Sequence, residues 1–229
     1  MVRLSFVHYQ HPDLVKACAF LEDFGLVIAR RQEHCVYFRG FGEEPCLYIA
    51  EKSPDTQRHF LGGTWAVESA AELERAAALP NAAAIKPYDG PGGGRIVSVL
   101  DPNGFLVNFI HGQTMREPQA EVALQSHCGN PGQVNVAFEK PRRGEFRRLQ
   151  QGPSPVHRLG HYGFIVPQQR YQETLDWYLS NLTLKRSDTV FEPTSGRDRT
   201  CFVHIDRGME WSDHHVSSRL QLRARRRAC

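Results

Sequence analysis

The sequence predicts an α+β protein built from repeated β-α-β-β-β units. Three observations predict it. Short runs rich in β-branched and aromatic residues are bounded by turn residues. A segment with helical spacing follows the first strand of each group and is absent from the rest of it. The same order then returns along the chain, the mark of one supersecondary unit reused, since a single copy cannot cover its own sheet.

Residues 2–9, VRLSFVHY, open the first unit as a strand. In HPDLVKACAFLEDFG, Leu14, Ala17, Cys18, Leu21 and Phe24 share one helical face. His11 or Asp13 can cap that helix, Pro12 suits its first turn, and Gly25 ends it. LVIARR, CVYFRG and PCLYIAE supply the remaining strands. In the second unit GGTWAVE is a strand, SAAELERAAAL a helix and NAAAIK a weak strand. The DGPGGG turn then leads into RIVSVLD, and an Asn-Gly turn into FLVNFIHG. DGPGGG lacks the G-K-[ST] of a phosphate loop and precedes no helix, so it reads as a flexible hairpin entry.

Residues 1–113 are therefore expected to form one domain, and 114–156 a polar, Pro/Gly-rich linker. The linker's basic cluster, Lys140 to Arg148, reads as solvated charge. A third unit follows in 157–218. RLGHYGFIV is its first strand, PQQRYQETLDWYLSNL its helix, TLKRSDTVF and RTCFVHID are further strands, and HHVSS begins a last one. Residues 219–229, RLQLRARRRAC, are expected to be a basic disordered tail without strand alternation.

The formal charge of +3 comes from that tail, which holds five arginines and no acid; setting these aside leaves a body near −2. Such a body exerts no global pull on nucleic acid. No stretch reads as a signal peptide or membrane span. The six cysteines are scattered without a C-x-x-C pair, as expected of free thiols in a reducing compartment, so a soluble cytoplasmic protein is expected. Cys35, Cys46 and Cys201 read as small buried hydrophobes.

DPNGFLVNFIHG at 101–112, PSPVHRLGHYGFIV at 153–166 and FVHIDRGMEWSDHH at 202–215 carry a resemblance. In that order, separated by a basic linker, they resemble type I extradiol ring-cleavage dioxygenases of the vicinal-oxygen-chelate superfamily, which also contains glyoxalases and bleomycin-resistance proteins. The similarity is to the 2,3-dihydroxybiphenyl and catechol 2,3-dioxygenase type, and to trihydroxytoluene oxygenase-like members. It implies a vicinal-oxygen-chelate fold with three of four modules present, and the cleavage of a catechol-type aromatic diol with Fe(II) and O2. In that family two histidines and one glutamate hold the iron and leave positions open for substrate and oxygen.

By the resemblance His161 matches the first metal ligand. His215 matches the pocket histidine that handles protons, and His214 its less critical neighbour. No residue beyond 216 matches the second metal histidine or the glutamate, so the family pattern looks C-terminally truncated and catalysis impaired. In the first domain His8 sits where single-domain relatives often carry a ligand. There Asn108 replaces the glutamate, and Thr64 and Trp65 occupy the strand expected to supply a histidine, so no metal site is expected. A non-catalytic binding or scaffold protein, paired with itself through exposed sheet edges, is the alternative, and a glyoxalase a further one.

Overall fold

A computed structural model describes residues 1–118, 152–154, 156–206 and 219–225, the last segment by its backbone and the Leu222 side chain. The fold is α+β, with two mixed sheets and helices laid against one face of each.

The first unit comprises β1 (Arg3–His11), α1 (Leu14–Phe24), β2 (Val27–Arg31), β3 (Cys35–Arg39) and β4 (Tyr48–Lys52). Asp13 starts α1 by accepting a hydrogen bond from the Lys16 amide at 2.9 Å, which satisfies one of the helix's unpaired donors. Gly25 ends it at φ 113°, a left-handed conformation that costs other residues strain. The second unit comprises β5 (His59–Ala66), α2 (Ala70–Ala77), β6 (Lys86–Pro87), β7 (Arg95–Leu100) and β8 (Leu106–His111). NAAAIK yields little strand, only the two residues of β6 and an isolated bridge from Ala82 to Val99. The glycine-rich turn does join a hairpin, β6 to β7.

These eight strands form one sheet in the order β2-β3-β4-β1-β5-β8-β7-β6. Each unit places its first strand parallel to its last, β1 to β4 and β5 to β8. The units meet through β1 and β5, which pair antiparallel. Cys18 and Leu21 of α1 pack on Val36, Phe38 and Ala50, and Leu73 and Ala76 of α2 on Val97, Val99 and Phe109. The opposite, concave face is filled by Phe6, Ile49, Ile96 and Ile110, with Tyr37 and Tyr88 against them.

The third unit comprises β9 (His161–Pro167), a 3-10 turn (Gln168–Arg170), α3 (Tyr171–Asn181), β10 (Leu184–Phe191), β11 (Asp198–Ile205) and β12 (Arg219–Arg225). Its sheet order is β10-β11-β12-β9, the arrangement of β2-β3-β4-β1. The strand β12 corrects the sequence reading, which left residues 219–229 as a disordered tail. Arg219–Arg225 lie between β11 and β9, antiparallel to the first and parallel to the second. The reason is a period-two pattern masked by arginines: Leu220, Leu222 and Ala224 alternate with Arg219, Gln221 and Arg223, and Leu222 is fully buried. Residues 226–229 and the basic cluster from Lys140 to Arg148 lie outside the described residues.

The third unit packs on the helix-bearing face of the second. The ring of Tyr162 stands 6.0 Å from that of Trp65, and Phe164 stands 5.4 Å from Phe105. Gly63 makes this approach feasible, because a Cβ there would sit 2.5 Å from the Tyr162 ring. The Tyr178 hydroxyl donates to Asp101 at 3.3 Å, and the Asn103 amide to Thr174 at 2.7 Å. DPNG is thus a docking turn as well as a hairpin turn. Asp101 also accepts from the Asn103 and Phe105 amides, which fixes the loop. No described helix is long and apolar enough to cross a membrane.

Candidate functional site

His161 is the first residue of β9, and the strand's period two decides where it points. Tyr162, Phe164 and Val166 face the core under α3, which leaves His161, Gly163 and Ile165 on the opposite, open face. Register then assembles a row across the sheet. His161 lies opposite Arg219, Arg219 opposite His204, and His204 opposite Lys185. One pleat further, Gly163, Gln221 and Phe202 are aligned in the same way, and the Phe202 ring stands 6.3 Å from the His161 ring.

His204 is held in place by Ser187, whose hydroxyl lies 2.6 Å from its Nδ1. Asp206, just beyond β11, forms an ion pair with Lys185 at 2.8 Å. Among the described residues the open face of the third sheet therefore gathers two imidazoles and an aromatic ring. The sequence places His204 in FVHIDRGMEWSDHH but gives it no role. Its alignment with His161 depends on strand register across a separation of 43 positions, which local spacing does not reveal. His214 and His215 lie outside the described residues.

In the first domain His8 and Glu51 share the concave side of β1 and β4. His8 Nε2 lies 2.8 Å from Glu51, and the Gln10 amide donates to the same carboxylate at 2.7 Å. Burial pulls the His8 pKa below its ordinary value, although the Glu51 charge and hydrogen bond push the other way. Asn108 accepts a hydrogen bond from Ser98 at 2.6 Å and donates to the Leu61 carbonyl at 3.2 Å, so its amide is engaged in holding strands together. Thr64 is fully buried opposite Asn108, while Trp65 faces the third unit. Cys46 is fully buried, and burial drives its thiol pKa upward, which makes it a packing residue at neutral pH.

Among the described residues no group of three or more histidine, cysteine, aspartate or glutamate side chains is placed to hold a metal ion. His161 alone does not provide the three-donor set of a ferrous centre, so the described residues do not fit that cofactor.

No family model and no curated protein matches the chain. Solved structures do. The Mn(II)-bound glyoxalase from Novosphingobium aromaticivorans superposes with a TM-score of 0.69 at 15% identity, over 98% of this chain and 62% of that one. Homoprotocatechuate 2,3-dioxygenase from Brevibacterium fuscum, in complex with 3,4-dihydroxyphenylacetate, gives 0.68 at 17% identity, over 98% and 60%. The enzyme of the same name from Arthrobacter globiformis gives 0.68 at 18%, with the same coverage. This chain spans about 60% of the length of these proteins. At such identities the likeness concerns architecture: the chain has the repeated β-α-β-β-β fold that glyoxalases and extradiol dioxygenases share.

Proposed function

We propose that this chain is an extradiol-dioxygenase-type protein whose small-molecule partner is a catechol-type aromatic diol. Fe(II) and O2 are the other participants of that chemistry. We also propose that the chain binds iron weakly and turns over little, and acts in a soluble, cytoplasmic setting. The observation that carries the reading is His161 on the open face of β9, at the start of a unit that superposes with homoprotocatechuate 2,3-dioxygenase. Phe202 beside it offers an aromatic wall for a planar ring. In this reading His161 is the metal-ligand position, and His215 with His214 the proton-handling positions.

Weak iron binding follows from the donor count. Among the described residues His161 alone stands at a ligand position, and loss of supporting contacts alone typically costs a metal site about ten- to a hundredfold. Two measurements on the purified 229-residue chain test the proposal. Calorimetric titration with catechol under nitrogen should show binding that Phe202→Ala weakens; absence of binding would overturn the ligand class. Oxygen uptake by anaerobically iron-loaded protein, with catechol, 2,3-dihydroxybiphenyl and a trihydroxylated toluene, should stay near the free-iron background. Turnover that His161→Ala abolishes would overturn the low-activity part.

A non-catalytic binding protein is the second reading, favoured by the missing three-donor set among the described residues. It predicts catechol affinity identical with and without iron. A glyoxalase is a weaker reading, because the neutral Asn108 amide is already engaged by Ser98 and Leu61.

A further inference from the structure

The first two units show how such units join, and among the described residues the third repeats their strand order without the junction. In the large sheet β1 is an inner strand, bonded to β4 on one side and to β5 on the other. In the small sheet β9 holds the position of β1, parallel to the last strand of its own unit. Among the described residues the other edge of β9 has no strand partner. Burial records the difference. β1 runs through four consecutive buried residues, Leu4 to Val7, whereas β9 has one buried residue, and Ile165 is 51% exposed.

An edge strand that no other strand pairs with among the described residues, and that carries an exposed branched side chain, is a template for strand addition. It carries no proline between His161 and Val166 and no lysine along its length, two common devices that blunt an edge. The opposite edge of the same sheet differs. β10 includes Lys185, Arg186 and Asp188 and is exposed on both faces over most of its length.

We propose that β9 is the docking edge for β9 of a second copy of this chain. Pairing is antiparallel about a two-fold axis perpendicular to the sheet, as β1 meets β5 within one chain. A two-fold contact is self-complementary, so one exposed strand suffices to build it. The axis keeps the open faces on the same side, and the result is one eight-stranded sheet with the order of the N-terminal one. His161 and Ile165 of both copies then line a single concave surface. The pairing is independent of the ligand class proposed above, since backbone hydrogen bonds and Ile165 contacts drive it.

The test is the solution mass of the full chain under reducing conditions, by light scattering after size exclusion, for three proteins. Wild type should run at twice the 26.0 kDa of one chain. Ile165→Lys, which places like charges across the two-fold, should run at the mass of one chain. Val190→Lys on β10, at a position 52% exposed, should stay dimeric. A monomeric wild type, or a dimer that Ile165→Lys leaves intact, overturns the proposal. Hydrogen exchange on wild type guards against a variant that fails to fold. Amide protection across Tyr162–Val166 should fall at least tenfold on dilution below the dimer's dissociation constant. Protection independent of concentration would mean that the chain covers this edge itself, and would also overturn the proposal.

Discussion

Asp101 shows how much a single side chain organises. It is 4% exposed, and burial raises its carboxyl pKa against the opposing pull of the Phe105 and Asn103 amides. Replacing it with alanine strands two half-buried amide donors and the buried Tyr178 hydroxyl together. We expect Asp101→Ala to lower stability by about 3 kcal/mol in urea unfolding, given about 1–3 kcal/mol for each buried group left unsatisfied. His8 is a second such residue. Its pKa is lowered in the folded state, so the unfolded chain takes up the proton first. The associated stability is present above about pH 6.5 and is lost as pH falls through the folded value. Thermal melts from pH 7.5 to 5.5 should therefore show a declining midpoint, and His8→Gln, which keeps a donor toward Glu51, should flatten the decline. A slope unchanged in His8→Gln would place the effect elsewhere. Sequence reading singles out His8 and His161 through the family resemblance of the strands that carry them. It did not find Glu51 as the partner of His8 or His204 as the neighbour of His161, since both depend on pairing between distant strands.

At the scale of elements, β12 is where local pattern and tertiary context part. Helix starts and stops were legible because they rest on neighbouring residues: Asp13 on the Lys16 amide, and Gly25 on its own backbone freedom. The inner strands of the first unit were legible from β-branched and aromatic residues. β12 has arginine where such residues usually stand, and only Leu220, Leu222 and Ala224 betray its inward face. Leu222 gains its burial from the core that α3 and β11 share, which no local window contains. The consequence is testable. Leu222 is fully buried in the core shared with Leu175, Tyr178 and Val203. Leu222→Ala should cost about 3 kcal/mol, within the usual range for a leucine truncated in a packed core. Deleting residues 219–229 should destabilise the third unit further, because β9 and β11 then lose the strand between them. A deletion without effect on thermal unfolding would return these residues to the status of a tail.

The whole molecule is held together by one hydrophobic cluster that ignores the sequence boundary between domains. Leu4, Trp65, Val97 and Phe109 from the first two units share it with Val166, Leu175, Tyr178 and Leu222 from the third. The eight-stranded sheet with α1 and α2 has its own pairing and two further clusters, so we expect residues 1–118 to fold on their own. Their helix-bearing face, however, is finished by Tyr162, Phe164 and Tyr178. Without that cover Trp65 loses an aromatic neighbour, Phe105 loses Phe164, and Asp101 loses a hydroxyl donor. Exposing this much apolar surface should cost at least about 2 kcal/mol at roughly 25 cal/mol per Å2. For a domain of this size that corresponds to a melting point about 10 °C below that of the full chain. The fragment should also bind the dye ANS, which the full chain should bind less, and its tryptophan emission should shift to the red. Equal melting points with equal dye binding would show that the third unit rests on the first two without sharing their core.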